Sequence, residues 1–206
     1  VEATPTKAIF STASDAETRE MYPWEFELRV IYKLENKTIS IRYEVTNNSP
    51  NCMYFSIGSH PAFNLPFAGG YIEHYYVEFS ETENLERYFF KGGLHLNETE
   101  PAFDNCRQIY IKKNLFDRGP IIFKSPRSKE FTIRSSQVSK TIKVATNGVS
   151  HLALWAAPKA PFLCIEPWYG LPDSIDTNQN FATKEGIIDL AVGKTFDTVY
   201  QVEIKG

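Results

Sequence analysis

Hydrophobic and polar residues alternate with a period of two along much of the chain. In WEFELRVIY, residues 24–32, every second residue is apolar, and the same alternation follows the polar break LENK in TISIRYEVT, residues 38–46. It returns in FDTVYQVEI, residues 196–204. Such alternation is typical of antiparallel strands with one face buried, and the first two segments predict a β-hairpin.

Shorter apolar segments predict further strands at residues 75–79, 120–123, 130–134, 141–145, 152–156 and 162–166. A helix is predicted only in SDAETREMY, where Ser14 and Glu17 have the spacing of a capping box. No helix-plus-strand unit repeats, which argues against a parallel sheet. Many short strands, with 11 Gly and 12 Pro in the chain, indicate one all-β domain over residues 1–206, an antiparallel β-sandwich.

Three turn-rich segments interrupt the alternation and are predicted to be loops. They are GSHPAFNLPFAGG, residues 58–70, ERYFFKGGLHLNETEPAFDN, residues 86–105, and EPWYGLPDSIDTNQNF, residues 166–181. A rigid sandwich holds its irregular connections in place, and binding and catalytic residues concentrate there. We therefore expect the functional residues in these segments.

Composition narrows the classes of partner. The formal net charge is −3, and Lys and Arg are scattered, so no basic surface for nucleic acid is expected. No apolar run approaches the roughly 20 residues of a membrane span, and the first residues do not resemble a signal peptide, so we expect a cytoplasmic protein. Three widely separated cysteines, Cys52, Cys106 and Cys164, predict neither a disulfide framework nor a CxxC metal site.

Glu166 ends the apolar run FLCIE, and because Pro167 cannot donate to a ladder, the strand is predicted to end there. A carboxylate beside the rings of Trp168 and Tyr169 is in a setting where desolvation raises its pKa towards that of a useful general base. Asp173 belongs to the same loop. The local pattern is equally compatible with a solvated Glu166 and two ordinary core rings.

His60 is the histidine with the most unusual surroundings. Gly58 and Pro61 restrict its backbone, and Phe63 and Asn64 place a ring and an amide nearby. Many histidines are structural, so these residues alone leave both a structural and a functional role open.

The other histidines have plainer settings. His74 and His151 are predicted to be strand residues, and His95 to be an exposed loop residue. No pair of His, Cys, Asp or Glu has a zinc-type spacing, so no metal is expected. Cys164 lies inside the apolar run, where a thiol tends to be inert, and no GxSxG motif is present.

Two of the loop segments resemble the aldose 1-epimerase family, the galactose mutarotase-like proteins, and within it the LacX-like branch. They are SIGSHPAFNLPF, residues 56–67, and CIEPWYGLPD, residues 164–173. Supporting segments follow the family's order: YPWEFELRVIYKL, YEVTNNS, NLFDRGPIIFKS and FATKEGIIDLAVGKTF. The resemblance implies the galactose mutarotase sandwich, also called a supersandwich, and interconversion of the α and β anomers of a free aldohexose. It implies a small sugar as partner and no cofactor.

The resemblance also implies roles for individual residues. His60 matches the family's general acid, and Glu166 matches its general base. Candidates for contact with the sugar are three rings that would pack on its apolar face and three polar residues that would bind its hydroxyls: Phe63, Trp168 and Tyr169, and Asn64, Asp117 and Asp173.

The chain departs from the family in one respect. Family members carry an upstream segment with a motif like HGFARN, and no equivalent is found here. We therefore expect residues 1–206 to be a C-terminal piece of a longer chain, without the first sandwich strands. Two alternatives stay open: a non-catalytic carbohydrate-binding sandwich, and a sugar-6-phosphate 1-epimerase, which would need a basic cluster that the three loops lack. Neither the particular aldose nor the oligomeric state is predicted.

Overall fold

The computed structural model describes residues 1–206 as sixteen strands, one α-helix and two 3-10 turns. The helix is α1 (Ala16–Met21), and the 3-10 turns are Ile72–His74 and Phe181–Thr183. In chain order the strands are β1 (Glu2–Thr4), β2 (Lys7–Ala13), β3 (Phe26–Glu35), β4 (Thr38–Asn47), β5 (Met53–Phe55), β6 (Ile57–Gly58), β7 (Ala62–Asn64), β8 (Tyr75–Lys91), β9 (Leu94–Tyr110), β10 (Ile121–Lys124), β11 (Glu130–Ser135), β12 (Thr141–Thr146), β13 (His151–Trp155), β14 (Phe162–Tyr169), β15 (Ile188–Leu190) and β16 (Thr195–Lys205).

The strands form two large antiparallel sheets and one small one. The nine-stranded sheet has the order β1-β2-β3-β4-β16-β12-β11-β8-β9. The five-stranded sheet has the order β10-β13-β14-β6, with β7 also paired to β14, and β15 pairs with β5. The predicted hairpin is β3 and β4, joined from Glu35 to Thr38. The predicted all-β antiparallel sandwich is confirmed.

The main core lies between the two large sheets. The nine-stranded sheet contributes residues such as Phe79, Phe131 and Val144, and the five-stranded sheet contributes Leu154 and Ile165, all fully buried. Each fully buried large apolar side chain stabilises the fold by about 1.5–3 kcal/mol relative to an exposed one. The alternation of β13 and β14 therefore assigns one face of the five-stranded sheet to the main core, while the other face carries Glu166 and a small apolar cluster around Ala153.

The segment 86–105, predicted to be a loop, is instead most of a long hairpin formed by β8 and β9. Four register shifts interrupt the pairing of these strands. Because each shift moves side chains to the other face, the sequence shows no steady alternation to indicate strands. The prediction of an exposed His95 is also wrong, since this residue is buried on β9.

Strand β14 continues past Glu166 to Tyr169, so the prediction that Pro167 ends the strand is wrong. Pro167 faces a break in the neighbouring strand, between β6 and β7, and its carbonyl accepts a hydrogen bond from the Ser59 N–H at 3.0 Å. A proline is tolerated in a sheet where no partner needs its missing N–H, as at a bulge or an edge.

The short helix α1 is present, but its N-cap is Asp15 and not Ser14. The capping box joins Asp15 to Thr18, while the Ser14 hydroxyl accepts a hydrogen bond from the Phe26 N–H at 3.3 Å. Helix α1 has six residues, and none of the helices offers the length and apolar character needed to cross a membrane.

Candidate active site

The outer face of the five-stranded sheet carries the polar residues. Along β14, Leu163 and Ile165 point into the main core, so Cys164, Glu166 and Trp168 point to the other side. Glu166 pairs with Ala153 of β13. Ala153 is fully buried and belongs to a small apolar cluster with Tyr88, Ile122 and Leu171.

His60 lies in the break between β6 and β7, opposite Glu166. On either side of the break, the Ser59 N–H donates to the Pro167 carbonyl at 3.0 Å, and the Ile165 N–H donates to the Pro61 carbonyl at 3.3 Å. The His60 Nε2 atom is 3.4 Å from Glu166 Oε1. The interrupted strand thus brings together the two residues predicted to be catalytic, which are 106 positions apart (166 − 60).

The two partners differ sharply in exposure. The side chain of His60 is 59% exposed, whereas that of Glu166 is 3% exposed. Burial raises the pKa of Glu166 to about 7, although His60 and a hydrogen bond from Trp168 both act to lower it. A carboxyl group with a pKa near 7 can exchange a proton readily at neutral pH, which suits a general acid or base.

Trp168 holds the second carboxylate oxygen. Its Nε1–H donates to Glu166 Oε2 at 3.2 Å, and its carbonyl accepts a hydrogen bond from the Ser150 hydroxyl at 3.0 Å. The indole also lies directly against Gly58, where an added Cβ would be 2.8 Å from Trp168 Cδ1. Gly58 is therefore needed for this close approach of the Trp168 indole.

Trp155 is a site residue that the sequence analysis did not identify. Its ring meets the His60 ring edge-on, with 5.6 Å between centroids and an interplanar angle of 90°. On its other side it packs against Phe162, at 5.8 Å. Trp155 pairs with Cys164 in the sheet and so shares the face of Glu166. The pairing of β13 with β14 would have revealed it, but that pairing cannot be read from either strand alone.

Two of the predicted sugar-contact rings point elsewhere. Tyr169 lies on the opposite face from Trp168, where its hydroxyl contacts the Gly148 carbonyl and the Thr198 hydroxyl. Phe63 pairs with Leu163 and packs against the main core. Packing and hydrogen bonding within the fold account for both residues.

The three predicted polar contacts are all exposed, and no hydrogen bond or ion pair joins them to His60 or Glu166. Asn64 is on the same side of β7 as Ala62, which pairs with Cys164. Asp117 lines a separate cavity of about 630 Å³. Asp173 forms an ion pair with Lys184 at 2.7 Å. Of the three, Asn64 shares the sheet face of the His60–Glu166 pair.

Cys164 completes a close group with His60 and Glu166. The imidazole nitrogen, the thiol sulfur and the carboxylate oxygen all lie within 4.8 Å of one another. Burial, with a smaller contribution from Glu166, raises the pKa of the Cys164 thiol to about 12, so the thiol is protonated at neutral pH. The sequence contains no metal-type spacing among these residues, and only the fold shows their convergence.

Comparison with known proteins agrees with this architecture. The family model described as aldose 1-epimerase matches residues 1–180. The plasmid-encoded protein LacX of Lactococcus lactis subsp. lactis is 32% identical over 209 aligned residues, which cover 98% of this chain and 70% of LacX. The chain belongs to the aldose 1-epimerase family.

Solved structures show the same fold. A galactose mutarotase related enzyme from Lactobacillus acidophilus has a TM-score of 0.91 and 27% identity, over 100% of this chain and 70% of that one. A galactose mutarotase-like protein from Lactobacillus casei has a TM-score of 0.88 and 27% identity, over 100% and 72%. Membership of this family supports a role as a carbohydrate epimerase.

Proposed function

We propose that the protein is an aldose 1-epimerase that interconverts the α and β anomers of a free aldohexose, with Glu166 as general base and His60 as general acid. The observation that carries the proposal is the contact of 3.4 Å between Nε2 of the exposed His60 side chain and Oε1 of the buried Glu166. The names of the two solved relatives, a galactose mutarotase related enzyme and a galactose mutarotase-like protein, support the same reaction.

The reaction requires two proton transfers at neighbouring oxygens. Glu166 takes the proton of the C1 hydroxyl, the bond between C1 and the ring oxygen breaks, and the electron pair on the ring oxygen takes a proton from the His60 imidazolium. Rotation about the C1–C2 bond then presents the other face of the carbonyl group, and ring closure reverses both transfers. Both oxygens are bonded to C1, so an acid and a base that serve them must lie close together, as these two groups do.

The surroundings of the pair suit a sugar. The rings of Trp155 and Trp168 lie on the same sheet face and can pack against the apolar side of a pyranose, a common way of binding amphipathic ligands. Asn64 is the predicted hydroxyl partner on that face. Roles for Phe63, Asp117, Tyr169 and Asp173 in sugar binding stay predictions, and the structure offers no contact that supports them.

Polarimetry of freshly dissolved α-D-glucose and α-D-galactose tests the proposal. The protein should accelerate the approach to the equilibrium rotation for at least one sugar. Glu166→Gln keeps the shape and the Trp168 contact but cannot act as a base, so it should lower the catalysed rate by about 10²–10⁴-fold. Glu35→Gln, the same chemical change in an exposed residue of the β3–β4 hairpin, is the matched control and should have a far smaller effect.

Each outcome has a distinct meaning. Binding of sugar without any acceleration would overturn the proposal and favour the carbohydrate-binding alternative. Acceleration by a folded Glu166→Gln variant at the unmutated rate would refute the role of Glu166. Thermal melting of both variants shows whether each is folded.

A further inference from the structure

We propose that His60, Cys164 and Glu166 form a binding site for a thiophilic divalent cation, with Zn²⁺ as the probe, and that the ion occupies the position between their side chains. Imidazole nitrogen, thiolate sulfur and carboxylate oxygen are the three ligand types that zinc uses in proteins. The inference does not rest on the proposed epimerase activity, because ion binding is measured without sugar.

The distances fit a tetrahedral ion. Zinc bonds of about 2.0–2.3 Å place neighbouring ligand atoms roughly 3.3–3.6 Å apart. His60 Nε2 and Glu166 Oε1 are already 3.4 Å apart, and the Cys164 sulfur completes a triangle whose sides are all within 4.8 Å. The longest of the three separations therefore exceeds a tetrahedral ligand spacing by at most about 1.5 Å. Three protein ligands leave the fourth position open.

Charge balance favours the ion in this position. Cys164 is buried and the side chain of Glu166 is only 3% exposed, so neither a lone thiolate nor a lone carboxylate is favoured there. A divalent cation neutralises one thiolate and one carboxylate together, so the assembled site carries no net charge. The thiol proton leaves to solvent when the sulfur–metal bond forms, and no change of oxidation state is involved.

The groups around the triad prepare it for an ion. Trp168 donates to Glu166 Oε2 at 3.2 Å, which fixes the carboxylate with Oε1 turned towards His60. A hydrogen bond of this kind to a ligating group orients it and strengthens metal binding. Because one ligand is a buried thiol, the site should prefer Zn²⁺, Cd²⁺ or Co²⁺ over Mg²⁺, which requires oxygen ligands.

Isothermal titration of the reduced protein with Zn²⁺, together with Co²⁺ absorption spectra, tests the site. We expect one ion per chain, release of a proton, a thiolate-to-Co²⁺ charge-transfer band, and no binding of Mg²⁺. Cys164→Ser should weaken Zn²⁺ binding at least as much as the loss of a group that orients a ligand, which costs about 10–100-fold. Cys52→Ser is the matched control, because Cys52 is a free, partly buried cysteine outside the triad, and should bind Zn²⁺ as the unmutated protein does.

Two results would overturn the inference: the absence of a thiolate band in the folded unmutated protein with Co²⁺, and equal Zn²⁺ affinity in Cys164→Ser and the unmutated protein. If Cys164→Ser does not fold, the Co²⁺ spectrum of the unmutated protein decides by itself. Zinc binding with loss of affinity in Cys164→Ser would support the site whether or not the protein accelerates mutarotation, so failure of one proposal is distinguishable from failure of the other.

Discussion

The two faces of the five-stranded sheet are made from alternate residues of the same strands, yet they serve different purposes. On the inner face, Leu154 and Ile165 are fully buried in the main core. On the outer face, the adjacent residues of the two strands are Ala153 and Glu166, which pair with each other. The difference shows that a shift of one position separates a residue that stabilises the fold from one that can carry chemistry.

The largest expected effect of breaking the inner face is on stability. Leu154→Ala removes a fully buried side chain from the core, and we expect a loss of about 2–5 kcal/mol in the free energy of unfolding, measured with urea. Mutarotation per folded molecule should change little, because the side chain points away from Glu166. A loss of activity without a loss of stability would contradict the division between the two faces.

A smaller effect is expected from His151, which is buried on the outer face in contact with Tyr88. Burial lowers the pKa of His151 to about 4, with Lys124 and His95 also lowering it and Glu185 raising it. The unfolded chain, with an ordinary pKa near 6.5 for this side chain, therefore takes up a proton at a higher pH than the folded protein does.

Protonation of His151 should therefore not affect the free energy of unfolding above pH 6.5. As the pH falls from 6.5 towards 4, it should reduce that free energy progressively, by up to about 3 kcal/mol. His151→Phe removes the titrating group, so its free energy of unfolding should fall less over that interval. The change of urea midpoint with pH, compared between the two proteins, measures this. Parallel curves would show that His151 makes no contribution to acid sensitivity.

The smallest predicted effect concerns the hydrogen bond from Trp168 to Glu166. Trp168→Phe keeps an aromatic ring on the outer face but removes the hydrogen bond to Glu166 Oε2. A hydrogen bond to a charged group contributes about 1.5–3 kcal/mol. If about half of that contribution helps to position the carboxylate, mutarotation at low sugar concentration should fall roughly three- to tenfold. An unchanged rate would show that packing alone positions Glu166.

Regular alternation made much of the fold predictable. Strands β3, β4 and β16 lie where the period of two predicts them, because alternate apolar residues of each strand pack against the main core or a second apolar cluster. The hairpin of β8 and β9 could not be predicted in full, since its register shifts hide the alternation. The predicted end of β14 at Pro167 was wrong for a related reason. The strand that pairs with Pro167 is interrupted, and the sequence of β14 contains no information about an interruption in its partner.

The site was predictable in part. His60 and Glu166 could be identified from the prolines that follow them in the sequence and from the resemblance to the family. The fold brings the two side chains together. Trp155 and the convergence of Cys164 with the pair depend on how separate strands align, and no local pattern carries that information.

The central claim is that His60 and Glu166 act as one catalytic unit, and a double-mutant cycle by polarimetry tests it most directly. His60→Asn and Glu166→Gln should each reduce the catalysed rate by about 10²–10⁴-fold, and the double variant should be about as slow as the slower single variant, as for groups that act together. Losses that multiply in the double variant, or a folded single variant with the unmutated rate, would contradict the account.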